Sequence, residues 1–257
     1  MNKIALLVEY NGGRYYGFQW QKNAPTIQAE LERVISKLPG NSSRVIAASR
    51  TDTGVHSRGQ VVSFRTDSSL APKTILKALN YYLPVDISVR GARRVTAGVN
   101  VRRDALSREY EYHIVNRSTR SPLAEGFALL VMKKLDIELM REACNVIKGE
   151  HDFASFAASL RGQRSTVRTV YKADFEKDGD TVVFYMVANS FLPHQVRNTV
   201  GLMIKVGLGK VGIDKLNSIM SEKKRGLAGP AAPPHALYLM KVNYPDDSEL
   251  LYENLLS

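Results

Sequence analysis

The chain has one cysteine and one tryptophan in 257 residues, and no apolar run long enough to cross a bilayer. A lone thiol, Cys144, excludes an intramolecular disulfide and any zinc cluster built on cysteines. It falls in the helical spacing Leu139, Cys144, Ile147, and so reads as a small buried hydrophobe rather than a reactive group. The longest apolar stretch, Val182 to Ala188, is far below the roughly 20 residues a spanning helix needs. Met1 to Tyr10 has an apolar centre, but Glu9 interrupts it and no small-residue cleavage site follows, so the expectation is a cytoplasmic protein without membrane attachment. The triplets Asn41-Ser42-Ser43 and Asn116-Arg117-Ser118 match the glycosylation pattern, but nothing points to secretion. The five histidines, His56, His113, His151, His194 and His235, show no metal-ligand spacing with one another or with Cys144, and H-E-x-x-H is missing. No metal and no cofactor are expected.

Acidic residues are also scarce. Asp and Glu total 25 against 36 Lys and Arg, a net charge of +11, which points to a polyanionic partner. Ile87 to Arg103 carries five arginines and no acid, and Phe153–Ala173 and Thr181–Ile213 also lack any. Positive charge kept apart from carboxylates can neutralise phosphates without first breaking internal ion pairs. The competing account is a solvated basic surface that serves solubility. Membrane binding fits less well, because no basic helix has a strong apolar face. With 44% apolar and 24% charged residues the chain is of ordinary globular composition, large enough for one large domain or two modest ones.

Along the chain, Ile4, Leu6, Val8 and Tyr10 alternate as a first strand. A glycine- and aromatic-rich loop, Asn11 to Pro25, follows. Thr26 caps a helix with the stripe Ile27, Leu31, Val34, Ile35 and Leu38, which Pro39-Gly40 ends. A short strand at Arg44–Ser49 enters a polar loop, Arg50 to Gly59, and Gln60 to Arg65 returns. Pro72 opens a helix through Tyr82, Pro84 closes it, and Val85 to Val95 is extended. After an arginine-rich connector, Ser107–Asn116 is a strand, Asp136–Lys148 a helix, and Arg168–Lys177 with Thr181–Ser190 a hairpin about Asp178-Gly179. Pro193–Val206 and Asp214–Ser221 read as helices. Lys223–Pro234 is a loop and Ala236–Tyr244 a last strand. Strands and helices mix without strict βαβ alternation, which is an α+β pattern. The expected division is 1–104 and 105–257.

Two strings match known motifs only superficially. Gly207-Leu208-Gly209-Lys210-Val211-Gly212 spells a dinucleotide fingerprint but follows a helix, so a C-cap turn explains it better. Asp52-Thr53-Gly54 spells the aspartic protease triplet, but that chemistry needs a second carboxylate and a dry strand where Arg50 stands. What remains is the loop Ser49-Arg50-Thr51-Asp52-Thr53-Gly54-Val55-His56-Ser57-Arg58-Gly59-Gln60-Val61. It either presents an oriented carboxylate whose charged form its cations favour, or holds an Asx-turn aspartate between surface arginines. The residues alone leave both readings open.

The stretch Arg50-Thr51-Asp52-Thr53-Gly54-Val55-His56, with Gly59-Gln60-Val61-Val62, resembles the active-site motif of the TruA family of tRNA pseudouridine synthases. The resemblance runs along nearly the whole chain in order. Tyr10, Gly12, Tyr15, Tyr16, Gly17, Phe18 and Gln19 resemble the family's first signature, and Thr26-Ile27-Gln28 with Leu31-Glu32 its first helix. Ser107-Arg108-Glu109-Tyr110-Glu111-Tyr112 resembles its arginine–tyrosine strand, and Asp152-Phe153-Ala154-Ser155-Phe156 its D-F-x-S-F. Phe191-Leu192 with Val196-Arg197-Asn198-Thr199-Val200-Gly201, and Leu237-Tyr238-Leu239, are similar to its closing motifs. Thr53, Ser49, Gln195 and Ala236 stand where alanine, glycine, methionine and glycine are commoner; none of these changes removes a polar catalytic group.

The resemblance implies two similar halves of RNA-recognition or ferredoxin-like type meeting at a central basic cleft, and a homodimer. It implies isomerisation of uridine to pseudouridine in the anticodon stem-loop of tRNA, at positions 38, 39 and 40, without cofactor or metal. Asp52 would be the nucleophile or base. Tyr110 would stack on the extruded uracil and move a proton at C5, with Tyr112 on the same face as the alternative packing residue. Arg197 would pair with Asp52. Arg50 and Arg58 would hold RNA backbone or the flipped nucleotide, and Leu239 would wall the pocket. Arg14, Arg102, Arg103, Arg161 and Arg164 would be generic phosphate contacts. A non-catalytic RNA-binding protein, or a synthase for another RNA site, would share these features.

Overall fold

A computed structural model describes residues 2–39 and 44–256. Gly40 and the Asn41-Ser42-Ser43 triplet lie outside them. The elements in chain order are β1 (Asn2–Tyr10), α1 (Ile27–Ile35), β2 (Ile46–Ala47), β3 (His56–Thr66), α2 (Pro72–Tyr82), β4 (Ile87–Val95), β5 (Ser107–Val115), β6 (Leu129–Leu130) and α3 (Ile137–Ile147). They continue with β7 (Gly149–Asp152), β8 (Val167–Asp178), β9 (Thr181–Ala188), α4 (Gln195–Gly207), α5 (Ile213–Glu222), β10 (Leu237–Asn243) and α6 (Tyr252–Leu256). The chain forms two compact units, Met1–Arg108 with Tyr238–Ser257, and Glu109–Leu237. Each mixes strands and helices, an α+β organisation. The last twenty residues belong with the first unit, not with the second half that a division at 104/105 assigns them to. The cause is β10, which joins β3 in parallel with Tyr238 opposite His56 and Leu239 opposite Ser57.

In the first unit β1 lies between β3 and β4, antiparallel to both. Its alternation names one face only. Ala5 and Leu7 are as fully buried as Ile4, Leu6 and Val8, because α6 covers the other side. A side chain at Gly91, opposite Leu7, would run into the Leu255 carbonyl. The first face packs under α1 and α2 through Ile27, Leu31, Val34, Ile35, Ile75 and Leu79, each worth about 1.5–3 kcal/mol relative to exposure. Thr26 Oγ1 accepts the Ala29 N–H at 3.2 Å, the expected N-cap, and Pro72 starts α2 where no N–H is needed. The β1–β3 register shifts between Val8 and Tyr10, a bulge that re-aims the strand end.

The second unit carries the strand order β5-β9-β8-β7, with β6 beside β5. The β8–β9 hairpin turns at Gly179, φ +55°, with Asp178 opposite Thr181. Asp136 caps α3 by accepting the Leu139 N–H at 3.0 Å. α3 lies against α4, so closely that a side chain at Gly207 would strike the Met140 sulfur. The glycine string after α4 is a C-cap: the Gly209 N–H bonds the Val206 carbonyl and the Lys210 N–H that of Lys205, with Gly209 at φ +68°. β6, β7 and α6 were not legible in the sequence, being too short to show a period. Among the described residues no helix is long and apolar enough to cross a membrane.

Candidate active site

Asp52 sits in the loop between β2 and β3, and both stems of that loop are tied down. The Gln60 amide mimics a ladder partner for Ser49: its Oε1 accepts the Ser49 N–H at 3.2 Å and its Nε2 donates to the Ser49 carbonyl at 2.7 Å. Thr51 Oγ1 shares a buried 2.8 Å hydrogen bond with the Tyr10 hydroxyl, and its carbonyl accepts the Phe18 N–H at 3.1 Å. The Gly54 N–H donates to the Tyr15 carbonyl, and the Val55 N–H closes the turn on the Asp52 carbonyl. The glycine-rich loop after β1 therefore clasps the aspartate loop backbone to backbone. Gly17, at φ +88°, leaves only 2.8 Å between a built Cβ and the Thr51 carbonyl, and Gly12 lies against the Val55 carbonyl. His56 Nδ1 accepts the Gly12 N–H at 3.1 Å, so that nitrogen carries no proton.

The consequence is selective exposure. Thr51, Gly54, Val55 and His56 are buried, while the Asp52 side chain is half-exposed and Thr53 open. A carboxylate whose neighbours' backbone is fixed on both sides is held in a set direction, which is the preorganisation a reacting acid requires. β3 begins at His56, four residues before the expected return strand, so the second half of the motif is strand rather than loop.

Arg50 is exposed. Partial burial, and then the charge of Arg102, hold its guanidinium below the usual arginine range. Arg58 points outward from β3 and lies 5.9 Å over the Tyr238 ring, which stacks on His56 at 4.8 Å and 26°. A column thus runs from surface guanidinium to buried imidazole. Leu239 is fully buried beside Ser57, whose hydroxyl donates to its carbonyl at 3.1 Å. Two of the generic cations are already engaged, Arg14 with Asp86 at 3.4 Å and Arg103 with Asp104 at 2.9 Å.

In the second unit Tyr110 is buried on β5, edge-on to Phe191 at 5.1 Å. Tyr112 is wholly enclosed and its hydroxyl donates to the Pro233 carbonyl at 2.8 Å. Burial pushes its phenol well above the usual range, against the opposing charge of Arg197, so Tyr112 is a packing residue with a committed hydroxyl. Arg197, in the first turn of α4, is held by Ala232: its Nε donates to the Ala232 carbonyl at 2.8 Å, and the Ala232 N–H returns to the Arg197 carbonyl at 3.0 Å. Tyr10, Gln60 and His56 carry the support of the aspartate loop, and sequence reasoning assigned them no role. The signal available was only that they stand inside the matched strings.

A family model described as tRNA pseudouridine synthase matches residues 6–102 and 143–245. The chain belongs to that family. It is 39% identical over 249 residues to tRNA pseudouridine synthase A of Syntrophomonas wolfei, covering 97% of this chain and all of the relative. The enzyme of the same name from an Exiguobacterium species is 41% identical over 244 residues, covering 95% and 98%. That of Francisella tularensis subsp. novicida is 38% identical over 248 residues, covering 96% of each. A solved Cbf5-Nop10-Gar1 complex is 14% identical with a TM-score of 0.35, over 79% of this chain and 45% of that one. Asp52, Arg50, Arg58, Arg197 and Leu239 fall inside the matched segments of the synthase model, and Tyr110 falls between them.

The synthase departs from its family pattern at positions the fold tolerates. Thr53 is open to solvent and Ser49 acts through its backbone. Ala236 is buried without a polar atom in its side chain. Gln195 is the costly one: its Oε1 accepts the Leu192 N–H at 2.9 Å, but its Nε2 is buried with no partner among the described residues.

Proposed function

We propose that this synthase isomerises uridine in the anticodon arm of tRNA, at positions 38, 39 and 40, as a cytoplasmic homodimer with Asp52 as its reacting carboxylate. The observation that carries the reading is the braced loop that fixes the neighbours of Asp52 while leaving its side chain half-exposed. Uridine and pseudouridine are isomers: the N1–C1′ bond breaks, C5 bonds C1′, and the C5 hydrogen is replaced by one on N1. No oxidant or nucleotide enters that balance. A carboxylate serves either by adding to C1′ or by removing a ribose proton to give a glycal. Tyr110 offers a ring for the uracil and a hydroxyl for the C5 proton, and Arg197 the positive charge that an ionised acid requires. Arg50 and Arg58 hold the RNA backbone, and Leu239, fully buried, backs the apolar wall from beneath. Extruding a stacked uridine costs a few kcal/mol, which phosphate contacts from a chain of charge +11 offset.

The test compares wild type with Asp52→Asn on an anticodon-arm transcript, reading pseudouridine directly and affinity by labelled RNA. The expected result is a rate loss on the order of 10³-fold or more with affinity kept within about threefold. Unchanged pseudouridine formation in the variant would sink the catalytic assignment. Modification of a transcript whose positions 38, 39 and 40 lack uridine would sink the site assignment, and a wild type that binds RNA without modifying it would be a binding protein.

A further inference from the structure

Beside the aspartate loop, within the first unit, lies a cavity of about 360 Å³ whose lining includes Gln19, Trp20, Arg44, Ile46, Arg50 and Arg102. Asp52 is not part of that lining, and neither is any other acid. Three arginines line it, Arg44 and Arg50 from either side of β2 and Arg102 from a distant segment, and among the described residues none of them forms an ion pair. Partial burial and the charge of Arg102 already press on Arg50; such crowding of like charge is relieved by an anion. Trp20 and Ile46, each 47% exposed, are apolar side chains left open at the same place. The Trp20 backbone is fixed by its N–H to Gln28 Oε1 at 2.9 Å, and Gln28 is in turn held by Glu32 at 2.7 Å. The volume is within the range of small-ligand pockets. An indole face beside guanidiniums without a carboxylate partner is the pairing that holds single-stranded nucleotides, the ring stacking a base while the cations take its phosphate.

We propose that this cavity is a second nucleotide subsite, which stacks a base of the substrate RNA strand on Trp20 and holds its phosphodiester with Arg44, Arg50 and Arg102. Arg50 is two residues from Asp52, a backbone span of at most about 7 Å, so the base held is a near neighbour of the reacting uridine in the strand. The inference rests on the RNA-modifying function above. Its effect is on substrate hold and strand register, not on the chemical step.

Trp20 is the only tryptophan of the chain, so its emission reports this cavity alone. Full-length Asp52→Asn protein is titrated with an anticodon-arm transcript while Trp20 emission and the anisotropy of the labelled RNA are followed together. Both signals are expected to saturate at the same RNA concentration, with Trp20 emission quenched. In the otherwise wild-type enzyme, Trp20→Ala is expected to raise KM about tenfold with kcat unchanged. Arg44→Ala with Arg102→Ala is expected to weaken binding and lower the log–log salt slope by about 0.7, the share of the one phosphate no longer neutralised. Circular dichroism and melting of each variant report its fold independently. RNA binding by anisotropy with unchanged Trp20 emission, or folded variants that keep wild-type KM and salt slope, would overturn the subsite while leaving the synthase assignment intact. Failure of the RNA to bind at all would overturn both.

Discussion

The Tyr10 hydroxyl and Thr51 Oγ1 lie 2.8 Å apart, buried, and 41 residues apart in sequence. This bond joins the end of β1 to the residue before Asp52, and the bulge between Val8 and Tyr10 brings the tyrosine to its place. The Gln60 amide approaches the same hydroxyl at 3.4 Å while it clamps Ser49. The aspartate loop is therefore held from two strands at once.

Removing that hydroxyl should loosen the loop without emptying the core. Tyr10→Phe is expected to cost about 1 kcal/mol of stability, read from urea unfolding. It should lower kcat several-fold with little change in KM. In a double-mutant cycle Thr51→Val should add less than its own single effect, because the two changes break one bond. Full additivity would show that the bond contributes nothing.

Gly17 tests the clasp between the two loops. At φ +88°, with a built Cβ 2.8 Å from the Thr51 carbonyl, Gly17→Ala is strained by its backbone as well as its contact. The expected cost is about 1–3 kcal/mol, with kcat lowered more than RNA affinity. Gly98, where a Cβ meets nothing within 4 Å, provides the control: Ala there should leave both untouched.

Buried acids of high pKa set the alkaline limit. Burial pushes the Cys144 thiol from an ordinary 9.0 up to about 12, and the Tyr112 and Tyr244 phenols are also raised by burial. The folded chain keeps these protons where the unfolded chain releases them. Stability from this source is thus complete below about pH 9 and falls as pH rises beyond it. Urea midpoints should be flat from pH 7 to about 8.5 and then decline. Cys144 should resist thiol reagents at neutral pH until the protein unfolds; rapid labelling of the folded enzyme would contradict its enclosure.

Charge should show in the salt response of RNA binding. With +11 net charge, affinity for the transcript is expected to drop on the order of 10³-fold between about 50 and 200 mM salt, the scale of about six phosphate contacts. A flat response in filter binding or anisotropy would remove the electrostatic account of extrusion.

Periodicity located α2, α3 and the β8–β9 hairpin within a residue or two and the start of α1, whose regular helix stops at Ile35, three residues before the stripe ends at Leu38, because an amphipathic stripe and its caps are local facts. It could not locate β6, β7 or α6, which owe their existence to partners elsewhere in the chain. The same limit applied to the site. Asp52 stood out as an acid between arginines beside a glycine, whereas Tyr10, Gln60 and His56 are ordinary strand residues until the chain folds. Tyr110 and Tyr112 are indistinguishable as i and i+2 on one strand face; only the Pro233 carbonyl, 121 residues away, marks Tyr112 as the packing member.

The sequence by itself determined most local elements, the positive charge that calls for a polyanionic partner, and the family whose resemblance singles out the acid proposed to react, since each is written in the order or chemistry of neighbouring residues. Tertiary structure decided which unit the C-terminal strand completes, which side chains hold the aspartate loop, and which cations gather beside Trp20. Those outcomes depend on hydrogen bonds and close approaches between residues tens of positions apart, and no local period encodes them.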